Sequence, residues 1–151
     1  MNNSTLFRHT LPIQLRFNDI DPLGHVNNSV YFSFYDLGKT SYFKDVSSEG
    51  PFRQDTGVVI AHAEVDFLAP VRPGESVAVQ TAVSEVGHKS FKLIQQVINS
   101  DTRQIKCVCS SVMVAIDSAT QQAVPIPEAW TDAFCRYEGR DLRRSAEKRQ
   151  Q

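Results

Sequence analysis

The sequence predicts an α+β fold in which one curved, five-stranded antiparallel sheet closes around a single long helix. Three observations carry this expectation. A strand pattern comes first, an almost wholly apolar helical segment follows, and four further strand patterns separated by turn residues run to about residue 117. A helix that is apolar on nearly every side needs cover on nearly every side, and a lone sheet provides it only by curling.

The frame comes from composition. A chain of 151 residues, 41% hydrophobic and 22% charged, is large enough to bury one core and is expected to form one compact domain. With 16 Lys and Arg against 17 Asp and Glu, the formal charge is -1. That balance offers no field for nucleic acid or an anionic membrane, so neither is expected as a partner. Met1 to His9 lack the apolar run of a secretory signal, and no segment is apolar and long enough to span a bilayer. A cytoplasmic protein is expected. Cys107, Cys109 and Cys135 are odd in number and lack C-x-x-C spacing, which reads as reduced core thiols rather than disulfides or zinc ligands.

Along the chain, Leu11, Ile13, Leu15 and Phe17 alternate with Pro12, Gln14 and Arg16, the period of a strand with one buried face. Asn18 to Asn28 is dense in Asp, Asn, Pro and Gly and reads as a structured loop, after which Ser29 can cap a helix running to about Lys44. In that helix Val30, Tyr31, Phe32, Phe34, Tyr35, Leu37, Tyr42 and Phe43 leave only a narrow polar stripe of Ser33, Asp36, Lys39 and Thr40. Gly38, costly in mid-helix, implies the close approach of another element. Asp45 to Gly57 reads as an exposed connection. Strands are then expected over Val58 to Leu68, Ser76 to Glu85, Ser90 to Asn99 and Gln104 to Asp117, punctuated by Arg72-Pro73-Gly74, Gly87 and Asn99-Ser100-Asp101. Val77, Val79, Thr81 and Val83 mark one buried face of the second of these. Glu128 to Tyr137 forms a short helix, and Gly139 to Gln151, rich in Arg, reads as a solvated tail. The arrangement is that of a hotdog fold, with a domain over residues 1–137 and a charged tail over 138–151.

Absent motifs narrow the chemistry. There is no G-x-S-x-G elbow, Gly-rich phosphate loop, H-E-x-x-H or dinucleotide fingerprint. His62, Glu64 and Asp66 alternate on one strand, a spacing open to metal ligation or to a plain solvent face, and no metal is expected. What stands out is Asp19-x-Asp21-Pro22-x-Gly24-His25-Val26-Asn27-Asn28-x-x-Tyr31, set between the first strand and the helix. This segment resembles the active-site loop of the 4-hydroxybenzoyl-CoA thioesterase-like family of hotdog proteins. Asp66-Phe67-Leu68-Ala69-Pro70-Val71 resembles a second motif of that family, a strand ending in proline.

The resemblance implies hydrolysis of an acyl-CoA to free acid and CoA, with coenzyme A as part of the substrate and no separate cofactor. It makes Asp21 the catalytic carboxylate and the backbone N–H of Asn28 the polariser of the thioester carbonyl. A carboxylate held against an activated acyl group gains from proximity what it lacks in nucleophilicity, and the N–H groups that open a helix suit a developing oxyanion. Asp21 also has a plain structural reading, as an Asx-turn residue. Asn27 and Asn28 have another, as capping side chains. His25 is a candidate to orient substrate or water, or a polar turn residue. His88, Lys89 and Ser90, at a hairpin, are candidates for coenzyme A phosphates or the pantetheine arm, and Arg136, Arg140, Arg143 and Arg144 form a rival anion site. Open sheet edges predict a homodimer or a dimer of dimers, and the resemblance puts the acyl-CoA pocket at that interface. An acyl carrier protein in place of CoA, a non-catalytic acyl-CoA-binding module and a hotdog dehydratase are the rival readings.

Overall fold

The computed structural model describes residues 7–46 and 55–144. Its elements are β1 (His9–Ile13), a 3-10 turn (Phe17–Asp19), α1 (Val30–Val46), β2 (Thr56–Phe67), β3 (Val77–Val86), β4 (Ser90–Asn99), β5 (Ile105–Asp117) and α2 (Glu128–Glu138). The five strands form one sheet in the order β1-β3-β4-β5-β2, which puts β1 and β2 at its edges. β1 is antiparallel to β3, with Leu11 opposite Val79. One five-stranded sheet with one long helix is the expected α+β architecture. Among the described residues no helix is long and apolar enough to cross a membrane.

Two compact units divide the chain. The first comprises the residues up to Tyr42, Val65–Thr81 and Gln95–Cys109. Its core packs Tyr31, Phe34 and Tyr35 of α1 with Val77, Val79, Val97 and Cys107. Gly38 is the point of closest approach: a Cβ there would lie 2.7 Å from Val79 Cγ1 and 3.0 Å from Thr81 Oγ1. The expectation about that glycine holds. Buried Gln95 donates to the Tyr35 carbonyl at 2.9 Å and to Thr81 Oγ1 at 3.0 Å, which satisfies its amide inside the core. Burial pushes the Cys109 thiol up to about 11 and raises Cys107 as well, as reduced core thiols should behave.

The second unit comprises Phe43–Glu64, Ala82–Ile94 and the residues from Ser110 onward. Its centre is an aromatic trio, Phe43, Phe91 and Phe134, with ring centroids 5.1 to 6.1 Å apart. α2 ends at Gly139, which adopts the left-handed conformation and bonds back to Cys135.

Several expectations need correction. Alternation predicts a first strand over Leu11 to Phe17, but the strand covers His9–Ile13. Asp19 accepts the Arg16 N–H at 2.8 Å and donates its own N–H to the Arg16 carbonyl at 2.9 Å, so turn chemistry ends the strand and leaves Phe17 93% exposed. The helix is not enclosed on all sides: Tyr31, Phe34, Tyr35, Tyr42 and Phe43 are buried, whereas Phe32 and Leu37 are exposed. β3 is buried on both faces, Ala78, Gln80 and Ala82 included. Ala61 and Ala63 of β2, which alternate with His62 and Glu64 and would face the helix if those faced solvent, are exposed as well. In the expected solvated tail Gly139, Arg140 and Asp141 are exposed, but Leu142 is buried and Arg143 and Arg144 are half-buried. Val86 donates to the Leu142 carbonyl at 2.8 Å, Arg144 donates to the Val86 carbonyl at 2.9 Å, and Leu142 is buried. Residues 145–151 of the expected tail, and 47–54 of the expected connection, lie outside the described residues.

Candidate active site

Asp21, His25 and Asn28 share one loop of the first unit, and the backbone explains its shape. Asp21 N–H donates to the His25 carbonyl (2.9 Å), Gly24 N–H to the Asp21 carbonyl (3.0 Å) and Asn27 N–H to the Asp19 carbonyl (2.9 Å). Ile20 and Val26 form an antiparallel bridge. The result is a miniature hairpin whose tip requires Gly24 at φ +87°.

The carboxylate of Asp21 is fixed by its own turn: Oδ1 accepts the Leu23 N–H at 2.9 Å, the Asx geometry foreseen as its structural role. Its second oxygen has no partner among the described residues. Ser29 does not cap α1 as expected. Asn27 Oδ1 instead accepts both the Ser29 N–H (2.9 Å) and the Ser29 hydroxyl (2.7 Å). That cap consumes the Ser29 donor, Val30 N–H is consumed by the Asn27 carbonyl at 2.9 Å, and the Asn28 N–H is left without an acceptor among the described residues. The side chain of His25 has no hydrogen-bond partner among them either, and only its carbonyl serves the loop.

The proline-ended segment after β2 anchors this loop. Val26 N–H donates to the Val71 carbonyl at 2.9 Å. Burial raises the Tyr31 phenol above its usual range, opposed by its hydrogen bond with the Val71 backbone. The segment is held in turn by Lys106, which reasoning from the sequence missed. Lys106 Nζ, buried, donates to the Pro70 carbonyl (3.1 Å) and to Glu75 Oε1 (2.8 Å), and its carbonyl accepts the N–H groups of Leu68 and Ala69. Burial alone would raise the Glu75 carboxyl. Bonds from Lys106, the Arg72 N–H and Asn99 outweigh it and hold the carboxyl below its usual value. A lysine inside an otherwise apolar strand was the available signal, and by alternation it passes for a solvent-facing residue.

The remaining candidates lie elsewhere. His88, Lys89 and Ser90 belong to the second unit, where Gly87 N–H donates to the Ser90 carbonyl at 2.8 Å and His88 and Lys89 are exposed at the tip. His62 pairs with Glu64 at 3.1 Å on exposed β2. In the Arg-rich group, Arg143 is spent on Glu128 (2.7 Å), Asp132 (2.6 Å) and Asp141 (3.3 Å), so it cannot serve the anion site considered for it.

Comparison with known proteins then decides the family. The model of the thioesterase-like superfamily matches residues 15–134. The chain belongs to that superfamily. Among thioesterase-like proteins of known structure, one from Thermus thermophilus, solved with coenzyme A and Zn, is 30% identical with a TM-score of 0.79, over 91% of this chain and 98% of that one. The acyl-CoA thioester hydrolase YbgC of Escherichia coli O157:H7 is 22% identical over 87% of this chain and 98% of its own length. A 1,4-dihydroxy-2-naphthoyl-CoA hydrolase of Synechocystis is 24% identical over 70% of this chain and 82% of its own. The hotdog architecture expected from burial is thus that of thioesterase-like proteins.

Proposed function

We propose that this chain hydrolyses acyl-CoA thioesters to a carboxylic acid and coenzyme A as a homodimer, with Asp21 as the catalytic carboxylate. One observation carries the reading. A single loop holds a carboxylate with one oxygen fixed and the other unspent, together with an unspent backbone N–H at the start of α1.

The chemistry follows from those two groups. The Asn28 N–H takes the thioester carbonyl oxygen as negative charge gathers on it. The free oxygen of Asp21 either attacks the carbonyl carbon or takes a proton from a water that attacks it. Each route breaks the carbon–sulfur bond, releases the CoA thiolate, which picks up a proton, and leaves the acid once water has added. No metal or redox cofactor enters the scheme. His88, Lys89 and Ser90 are assigned to the phosphates or pantetheine arm of coenzyme A, and His25 to orienting substrate or water. The dimer is supported by β2, an edge strand whose apolar residues Val59, Ile60 and Phe67 are exposed.

The test is a thiol-release assay on a panel of acyl-CoAs with wild type and Asp21→Asn. Asparagine keeps the oxygen that accepts the Leu23 N–H, so the turn survives while the charge goes. Turnover should fall roughly 10²- to 10⁴-fold. Equal turnover by the variant removes Asp21 from the mechanism, and acyl-CoA binding without thiol release by the wild type favours a non-catalytic binding module.

A further inference from the structure

The Asp21 carboxylate and the Asn28 N–H stand on different pieces of chain, a loop and the start of a helix, and both pieces hang from one support. Val26, in the loop, donates its N–H to the Val71 carbonyl at 2.9 Å. Tyr31, in the first turn of α1, bonds to the Val71 backbone through its hydroxyl and meets Phe67 edge-on with ring centroids 5.3 Å apart. The stretch from Phe67 to Val71 thus links the two groups assigned to the reaction.

Beyond Phe67 this stretch has left β2, and a side chain of β5 holds it. Lys106 Nζ reaches the Pro70 carbonyl at 3.1 Å and Glu75 Oε1 at 2.8 Å. Glu75 in turn accepts the Arg72 N–H at 2.7 Å and the Asn99 amide at 3.2 Å. Val71 is therefore pinned on both sides, by the carbonyl before it and the N–H after it. Only 6% of the Lys106 side chain is exposed. Taking an ammonium out of water is costly, and a buried ion pair is often no better for stability than apolar side chains of the same volume. What the ammonium adds is direction, since it has to meet a carbonyl and a carboxylate at fixed points.

We propose that Lys106, with Glu75 as its counterion, is a positioning residue for thioester hydrolysis: it fixes Val71, and through Val71 the alignment of the Asp21 carboxylate with the Asn28 N–H. The inference rests on the acyl-CoA reading above and extends it to a residue outside the Asp21 loop. Lys106 acts through Val71 and not on the reacting carbon. Misalignment by about 1 Å can cost about 10²-fold in rate, so the effect falls on kcat rather than on KM.

Lys106→Met alone would strand the Glu75 carboxylate, so the variant to test joins it to Glu75→Gln, which removes both charges and keeps an acceptor for the Arg72 N–H. In a thiol-release assay below its melting temperature the double variant should lose about 10- to 100-fold in kcat with KM for acyl-CoA unchanged. By deuterium exchange its Val26 amide should open faster than in wild type, while that of Val97, in the same core, keeps the wild-type rate. A loss of stability alone would speed both amides and spare the kcat of the folded enzyme. Wild-type kcat in the folded double variant, or a loss of kcat/KM carried by KM, overturns the proposal. If the double variant does not fold, Glu75→Gln takes its place: a lower kcat at unchanged KM supports the proposal, and a wild-type kcat overturns it. If the wild type releases thiol from no acyl-CoA, the hydrolytic reading fails on its own, and exchange still decides whether Lys106 places the loop. Faster opening confined to Val26 supports that placement, and exchange like the wild type overturns it.

Discussion

β2 and β3 are written in the same alphabet, rich in valine, alanine and isoleucine or threonine, yet they have opposite surroundings. Every residue of β3 is buried or half-buried; most of β2 is exposed. Position in the sheet accounts for the contrast. β3 lies between β1 and β4, whereas β2 is an edge. An internal strand spends its backbone on two neighbours and its side chains on the core. An edge strand carrying Val59 and Ile60 in solvent keeps unpaired groups and apolar surface together, a state that proteins usually cover or blunt. The difference teaches that β3 is a finished part of the molecule, while β2 has the character of a surface awaiting a partner, which is the role given to it in the proposed homodimer.

Substitutions separate the two strands in order of effect on the stability of the chain. Gly38→Leu drives a side chain into Val79 and Thr81 of β3. It should destabilise by about 3 kcal/mol and lower Tm by roughly 6–12 °C, read by thermal unfolding. A Tm equal to wild type would mean that α1 and β3 are not packed as described.

A smaller effect belongs to Glu75, just before β3. Its folded pKa is depressed below the ordinary 4.5, so the stability it adds is complete above that value and disappears as pH falls through the lower folded one. Glu75→Gln should cost about 1–2 kcal/mol at neutral pH and flatten the fall in stability below about pH 5. Denaturant titrations at a series of pH values check this, and parallel pH profiles for variant and wild type would contradict it.

Ile60→Lys on β2 should change the intrinsic stability of the chain by no more than about 0.5 kcal/mol while abolishing the proposed dimer, as read by analytical ultracentrifugation. A variant that sediments like the wild type would place the interface elsewhere.

Much of this was legible in the residues. Strand and helix periods located α1 and the four strands that follow it, and Asn99 shapes its hairpin as expected, its side chain accepting the N–H groups of Asp101 and Thr102. The loop bearing Asp21 was legible because turn residues of that density leave few alternatives. What escaped was long-range. Alternation continued through Leu15 and Phe17, but a local contest between strand and turn was won by Asp19. The Arg-rich end looked solvated because composition cannot show that Leu142 finds a seat beside Val86. Lys106 and Glu75, distant in sequence, form a tether that only the folded chain brings together.

The anchoring of the Asp21 loop has one more consequence. Val71 holds Val26 on one side and Tyr31 on the other, so the placement of the carboxylate is inherited from the strand-end segment beneath it. Leu23 and His25 project from a bracket whose two ends are fixed, and altering either should change the chemistry at the rim without relocating the group at its base.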